Sequence, residues 1–423
     1  MIRKEIFGGI IRMAALVMIM SMLAGACSKN DGPEDNGDNT EQPSKPGEGD
    51  NQGDNGSGDG SGSGSEGGSG DNGEGGGNGS GEGNEGEGGG NEGGQPTDPD
   101  KPQVAATNWM TLLDDNTKVT LLTIPGTHDA ATSTCSAMGK CQTLTIPQQL
   151  ECGVRAFDLR PTMDNNTTLG NIYHSILDTG VSMGDAMEYF DSFLKAHSGE
   201  GIIVIMRYES ERQILGSIAE DNYKTAMKNF LWDSRIYQSR MAAFNKSMTM
   251  KDLRGKILII SRNDLSPVST FETAYTQWSH SNSVGEALYI YGTGGLGRIY
   301  VQDMYSAEKN GNSSEADFLA KKKELVCKLL DITVPFREYE QNNWVINYCS
   351  GYAGSSFASD SYAKNAASTN PAALEHIQAH TGKGFTGIVM MDYAGTDTYE
   401  VGGSTFSVSG KSLTEALIMN NFQ

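Results

Sequence analysis

The chain has 423 residues, with 53 Asp and Glu against 32 Lys and Arg and a formal net charge of −21. Such a balance excludes a nucleic-acid partner held by a basic stripe. The charge is also unevenly placed: residues from Asn30 to about Asp100 hold 18 acidic residues against Lys45 alone, −17 of the −21, so the remainder is only mildly acidic.

In chain order, Arg3, Lys4 and Arg12 precede an apolar run from Met13 to Ala26, and Cys27 follows Leu23-Ala24-Gly25-Ala26. A basic start, a short apolar stretch and small residues before a cut describe a secretory signal. The run is short for a bilayer span. A Cys directly after small residues is similar to a lipobox, which makes Cys27 the expected lipidated residue. The segment from there to about residue 103 is almost entirely Gly, Asn, Asp, Glu and Ser. It has little apolar surface to offset the entropy of ordering and reads as a self-repelling tether. The expected organisation is therefore a lipoprotein signal peptide at 1–26, a tether at 27–103 and a folded domain at 104–423. That domain is long enough for one large α/β unit.

Within the domain, eight short apolar, β-branched runs read as strands buried on both faces. They are VTLLTI to Ile124, GVRAFDLR to Arg160, NIYHS around His174, IIVIMR to Arg207, KILIISR to Arg262, RIYVQD to Asp303, WVINY to Tyr348 and GIVMMD to Asp392. Pro125-Gly126 is expected to end the first of them. Helical spacing occurs in Ile146–Cys152, Gly184–Ala196, Arg212–Trp232, Glu315–Leu330, Ala372–His380 and Ser412–Asn421. This alternation predicts a distorted (β/α)8 TIM-type barrel. The alternative, an open doubly wound sheet, lacks a glycine-rich fingerprint after any strand. Five cysteines remain beyond Cys27; export permits a Cys135–Cys141 bridge, and no spacing matches a zinc pattern.

Charged and polar residues fall at the C-terminal ends of these strands: His128, Asp158, Arg160, His174, Arg207, Arg262, Asp303 and Asp392. In a barrel that end carries the active site. Two of only six histidines in the chain, His128 and His174, stand there and can serve as base and acid in one displacement. Asp392, Asp129 and Asp158 are the carboxylates available to orient them. Arg160, Arg207 and Arg262 suit a phosphate oxyanion, or they pair with carboxylates in the rim, Arg207 above all. The pattern points to acid/base cleavage of a phosphodiester.

The strings LTIPGTHDA, GVRAFDLR with a His fourteen residues beyond, IIVIMRYE, GKILIISR, VQDMY and VMMDY occur in that order over Val119 to Tyr393. In order and spacing they resemble the bacterial phosphatidylinositol-specific phospholipases C, the X-domain family. The resemblance implies cleavage of phosphatidylinositol to diacylglycerol and inositol 1,2-cyclic phosphate. It implies that His128 deprotonates the inositol 2-hydroxyl with Asp392 behind it, and that His174, coupled to Asp129, protonates the leaving oxygen. Arg160 and Asp158 would flank the phosphate, and Arg262, Asp303 and Tyr305 would bind inositol with Tyr305 stacked on the ring. Arg207 stands where many members carry Lys. Arg160 and Asp129 stand where calcium-dependent relatives carry a carboxylate and Asn, so no metal and no other cofactor is expected. The implied partners are an inositol phospholipid and a membrane surface, with no nucleic acid, for a monomer exported and anchored at the bacterial outer membrane, with cell-surface display also open.

Two departures stand out. ATSTCSAMGKCQTLTIPQQL, after His128, has no aromatic residue where membrane-active members carry a Trp-bearing helix, which leaves Trp278 in YTQWSHSNS as a candidate rim anchor. The family's Gly after the second His is Ser175 here. The competing readings are a phosphodiesterase on a soluble inositol or polyol phosphodiester, a non-catalytic surface-binding module, and a retaining glycosidase using Asp158 and Asp303, which would leave both histidines idle.

Overall fold

The computed structural model describes residues 104–423 apart from 165–166, 210–219, 234, 266–272, 307–313, 334–342, 357 and 381–383. The expected signal segment, Cys27 and the tether lie outside these residues. The strands are β1 (Thr123–Thr127), β2 (Ala156–Leu159), β3 (Pro161–Asp164), β4 (Thr168–His174), β5 (Leu177–Ser182), β6 (Ile202–Met206) and β7 (Ile257–Ser261). They continue with β8 (Ala274–Tyr275), β9 (Glu286–Gly292), β10 (Gly297–Gln302), β11 (Asn343–Tyr348), β12 (Gly387–Met391), β13 (Thr398–Val401) and β14 (Ser404–Ser407). The α-helices are α1 (Ile146–Glu151), α2 (Met183–Ala196), α3 (Glu220–Leu231), α4 (Arg235–Gln238), α5 (Met250–Leu253), α6 (Glu315–Thr333), α7 (Ser361–Ala379) and α8 (Gly410–Met419).

A closed barrel forms in the order β1-β12-β11-β10-β9-β8-β7-β6-β2, with β2 returning to β1. Seven of the eight expected strands are in it. The eighth, NIYHS, is not: β4 pairs antiparallel with β3 and β5 in a separate three-stranded sheet. β2 pairs directly with β6 where it was expected, and the wall is completed elsewhere by β8 and β9, inserted between β7 and β10 with β9 antiparallel to both β8 and β10. The sequence reading missed this ribbon: β8 is two residues long, and the run Ala287–Tyr291 of β9 has no charged residue at its C-terminal end to mark it.

Side-chain parity divides the core in two. On β6, Ile203 and Ile205 face a cluster with Ile124, Ala156, Leu258, Ile260, Ile299, Val301, Ile346, Ile388 and Met390, all from barrel strands. Ile202, Val204 and Met206 face the helices, against Phe190 of α2, Tyr223 of α3 and Val326 of α6. Alternate residues of a strand point to opposite faces, so the first cluster fills the barrel and the second seals the helical layer to it. Strands such as β6 and β7 are buried and apolar on both sides for that reason.

Pro125-Gly126 does not end β1; the strand runs through both residues to Thr127. A Cβ at Gly126 would meet Met390 Sδ at 2.4 Å and Ala156 Cβ at 3.1 Å. The glycine lets β1 fit between β2 and β12. Helix α7 likewise begins eleven residues before the expected Ala372 and passes through Pro371. Asn365, Thr369 and Asn370 on its buried face hydrogen-bond to Cys349 O, Asp392 O and Val408 O, and this anchoring overrides the break that proline favours. All five described cysteines are free thiols, so the Cys135–Cys141 bridge does not form. No helix among the described residues is long and apolar enough to cross a membrane.

Candidate active site

The parity that fills the barrel also builds the site. Two residues beyond an inward apolar position comes another inward position. From Gly126 this gives His128, from Ala156 Asp158 and then Arg160, from Ile205 Arg207, from Ile260 Arg262, from Val301 Asp303, from Ile346 Tyr348 and from Met390 Asp392. Of the expected site residues in the barrel domain, His174 and Asp129 lie outside this rule, and Tyr305 is one further step along it, two residues beyond Asp303.

His128 Nδ1 is 2.9 Å from Asp392 Oδ1. Asp392 is fully buried and its backbone carbonyl accepts from Asn370 Nδ2 at 3.0 Å. The other imidazole nitrogen, Nε2, lies 2.9 Å from Arg160 Nη2 and 3.1 Å from Asp129 Oδ2. A carboxylate at Nδ1 and a guanidinium donor at Nε2 fix one arrangement: Nδ1–H donates to Asp392, and the Nε2 lone pair faces the pocket. Burial first, then the charges of Arg160 and His174, hold the His128 pKa well below its ordinary value. Burial, then the charge of Asp129, pushes the Asp392 carboxyl well up. The lowered His128 pKa leaves Nε2 unprotonated near neutral pH, as a general base requires.

Asp129 follows directly and has φ 43°, a left-handed conformation that Asp tolerates better than most residues. The turn brings its carboxylate among three cations or potential cations. Oδ1 is 3.0 Å from Arg160 Nε, and Oδ2 is 3.1 Å from His128 Nε2 and 3.4 Å from His174 Nε2. Asp129 was expected to serve His174; the structure places it between both histidines, whose ring centroids are 6.4 Å apart. Burial raises its pKa to about 6, against the opposing pull of Arg160.

His174 is held from outside the barrel. Its Nδ1 is 2.9 Å from Gly139 O in the short 3-10 turn Ala137–Gly139, and only an N–H can meet that carbonyl. Nε2 therefore faces Asp129 and, at 3.2 Å, the hydroxyl of Tyr362 near the start of α7. The sequence reading missed Tyr362, which no strand-end pattern marks. It also missed Gln142, whose Nε2 donates to His128 O at 2.8 Å and Met391 O at 2.9 Å. That one amide ties the strand end bearing the base to the strand end bearing its carboxylate.

Arg160 pairs through Nη2 with Asp158 Oδ2 at 3.0 Å and through Nη1 with Glu209 at 3.7 Å. Arg262 Nη2 is 3.4 Å from Asp303 Oδ2, and its guanidinium lies 4.2 Å over the Trp278 ring. Trp278 Nε1 donates to Asp303 at 2.9 Å, so this residue forms part of the pocket wall and is not a free rim anchor. Arg207 has no ion-pair partner among the described residues, against the expectation of a rim salt bridge. Burial and the charges of Arg262 and Arg160 depress its pKa. Tyr305 packs edge-on to His280, centroids 5.0 Å apart. Asp158 Oδ1, Tyr348 Oη, Arg262 Nε and Thr276 Oγ1 are shielded from solvent with no hydrogen-bond partner among the described residues. Such groups cost free energy unless a polar ligand meets them.

His128, Asp129 and Cys141 bring potential metal-ligand atoms within 4.8 Å of one another. Arg160 lies against the first two at 2.9 and 3.0 Å and puts a fixed positive charge beside any cation there.

Residues 123–263 match the family model described as phosphatidylinositol-specific phospholipase C, X domain. The 1-phosphatidylinositol phosphodiesterase of Staphylococcus aureus strain Newman is 25% identical over 299 residues, 68% of this chain and 88% of the relative. That of Listeria monocytogenes is 34% identical over 172 residues, 39% of this chain and 51% of the relative. A solved mutant of the S. aureus phosphatidylinositol-specific phospholipase C has a TM-score of 0.59 at 25% identity, covering 74% of this chain and 98% of that one. The L. monocytogenes enzyme shares the fold with a TM-score of 0.51 at 22% identity, over 75% and 99% of the two chains. In sequence, motif order and barrel, the chain is similar to the X-domain family of phosphatidylinositol-specific phospholipases C.

Proposed function

We propose that this protein is a phospholipase C-type enzyme that cleaves the phosphodiester of phosphatidylinositol to diacylglycerol and inositol 1,2-cyclic phosphate. The observation that carries the reading is the pair of histidines bridged by Asp129, Oδ2 lying 3.1 and 3.4 Å from their Nε2 atoms, with Arg160 alongside. His128 Nε2 takes the proton of the inositol 2-hydroxyl as its oxygen bonds to phosphorus. Asp392 stabilises the imidazolium that forms. Arg160 Nη2 turns from Nε2 to a phosphate oxygen, where a planar fork can donate twice. The bond from phosphorus to the diacylglycerol oxygen breaks, and His174 Nε2 delivers the proton that oxygen needs. Two such proton transfers are worth on the order of 10²–10⁴-fold each.

Arg262, Asp303, Arg207, Asp158 and Tyr305 are the residues we assign to the headgroup. The orphaned polar atoms of Asp158, Tyr348, Arg262 and Thr276 support a ligand rich in hydroxyls. Arg160 supports catalysis without calcium, because a divalent cation needs several oxygen ligands and would meet a guanidinium. The basic start, the apolar run and Cys27 support export and a lipid anchor at the outer membrane; the long tether at 27–103 supports a monomer, and the lack of a basic stripe supports the reading that nucleic acid is not a partner. A soluble inositol phosphodiester is the second reading, favoured by the segment after His128. It folds into the short turns Thr132–Thr134 and Ala137–Gly139 and carries no aromatic side chain.

The test is phosphorus NMR of the full chain with phosphatidylinositol micelles and a chelator. A cyclic phosphate resonance is the expected product. Its absence with or without added calcium, on intact protein, would remove the lipid reading.

A further inference from the structure

Helices α6 and α7 run together outside the barrel, with Cys327 Sγ of one 3.9 Å from Ala372 O of the other. Near their C-terminal ends three side chains converge: Asp331 from α6, His376 from the last turn of α7 and His380 at its C-cap. Their ligand atoms lie within 4.8 Å of one another. The two imidazoles are four residues apart, which puts them on one side of a helix. Their rings stack with centroids 4.3 Å apart and planes inclined by 24°.

Proton placement favours a cation. His380 Nδ1 is 2.8 Å from His376 O. A carbonyl accepts only from an N–H, so Nε2 of His380 keeps its lone pair, as in metal-ligating histidines whose other nitrogen is bonded to a carbonyl. His376 Nε2 is shielded from solvent and makes no hydrogen bond, although Asp331 Oδ1 is 3.4 Å away. That separation is long for a charge-assisted hydrogen bond. It matches two ligands of one tetrahedral zinc: bonds of about 2.0–2.2 Å to nitrogen and oxygen set those atoms about 3.4 Å apart.

We propose that Asp331, His376 and His380 form a site for a divalent cation of the zinc type, with water as fourth ligand, joining α6 to α7. The chain spacing conceals this site because its carboxylate comes from a different helix. The ion would brace the two helices that reach the barrel mouth from behind. From α6, Lys322 Nζ donates to Gln302 at 3.2 Å, next to Asp303. From α7, Tyr362 touches His174. The cation thus supports stability and takes no part in the chemistry.

The test uses the full chain and Co²⁺ as a spectroscopic probe, displaced by Zn²⁺. One Co²⁺ should bind with visible absorption of tetrahedral character, and Zn²⁺ should remove it and raise the melting temperature. Asp331→Asn and His380→Gln alter side chains at the helix ends and should each weaken Co²⁺ binding at least about tenfold, with melting in chelator unchanged. No absorption in the parent would overturn the proposal. So would equal Co²⁺ affinity in parent and variants, which would put the ion at His128, Asp129 and Cys141 or on the acidic segment.

Discussion

His128 stands one residue beyond β1, a strand paired with β12 from Thr123 to Thr127 and with β2 opposite, and its N–H still donates to Met391 O of β12 at 3.1 Å. His174 stands on β4, outside the barrel, and reaches the same carboxylate from a small antiparallel sheet. The base is placed by the barrel wall itself. The acid is placed by three separate holds: Gly139 O, Asp129 and the Tyr362 hydroxyl. A strand in a closed ladder has one position available; a residue held by loops and a distant helix can be adjusted or lost with less damage elsewhere. Within one site, rigidity is thus unequal, and the two halves should respond differently to substitution.

The largest effect should come from His128→Ala, which removes the base and should lower turnover by at least about 10²–10⁴-fold with melting little changed. His174→Ala should match that loss on phosphatidylinositol, yet recover much of the rate on an analogue with a nitrophenol leaving group, whose departure needs no proton. Equal recovery in both variants would break the division into base and acid. Asp129 sharpens it through pH. With its pKa at about 6, activity should rise with pH through that region as the carboxylate forms beside His174, and Asp129→Asn should abolish this limb. The sign for stability is opposite. The folded carboxyl binds its proton more tightly than the unfolded one, so its contribution to stability falls as pH rises from the ordinary carboxyl range to about 6. The smallest effect is expected from Tyr362→Phe, which removes one hydrogen bond worth about 0.5–1.5 kcal/mol. Turnover should drop roughly 2- to 12-fold by that measure, and the acidic limb of the pH profile should move while KM stays constant.

What the sequence displayed follows the same division. Residues set by strand parity, from His128 to Asp392, could be found because period-two alternation carries a buried strand's inward face on to its end. Tyr348 obeys that rule and was still passed over, being neither charged nor part of a quoted motif. Trp278, Gln142 and Tyr362 obey no local rule: a loop, a turn and a helix start bring them in through long-range contacts. The antiparallel β8–β9 ribbon was passed over because β8 is two residues long and β9 ends on glycine, followed by threonine, with no charged side chain at its end. The resemblance to a family located His174, but could not show that its strand lies outside the wall.

One consequence concerns the order of events in folding. His128 and Asp392 are 264 positions apart, and the strand between β2 and β12 is fastened at its base by residues from near position 420. Asn421 Oδ1 accepts from Thr123 N at 2.9 Å and its Nδ2 donates to Thr123 O at 2.8 Å, while Asn420 Nδ2 reaches Thr123 Oγ1 at 2.9 Å. Contacts of such separation form late, because the loop they close is long. A chain emerging from its N-terminus therefore has no competent base until its distal helix docks.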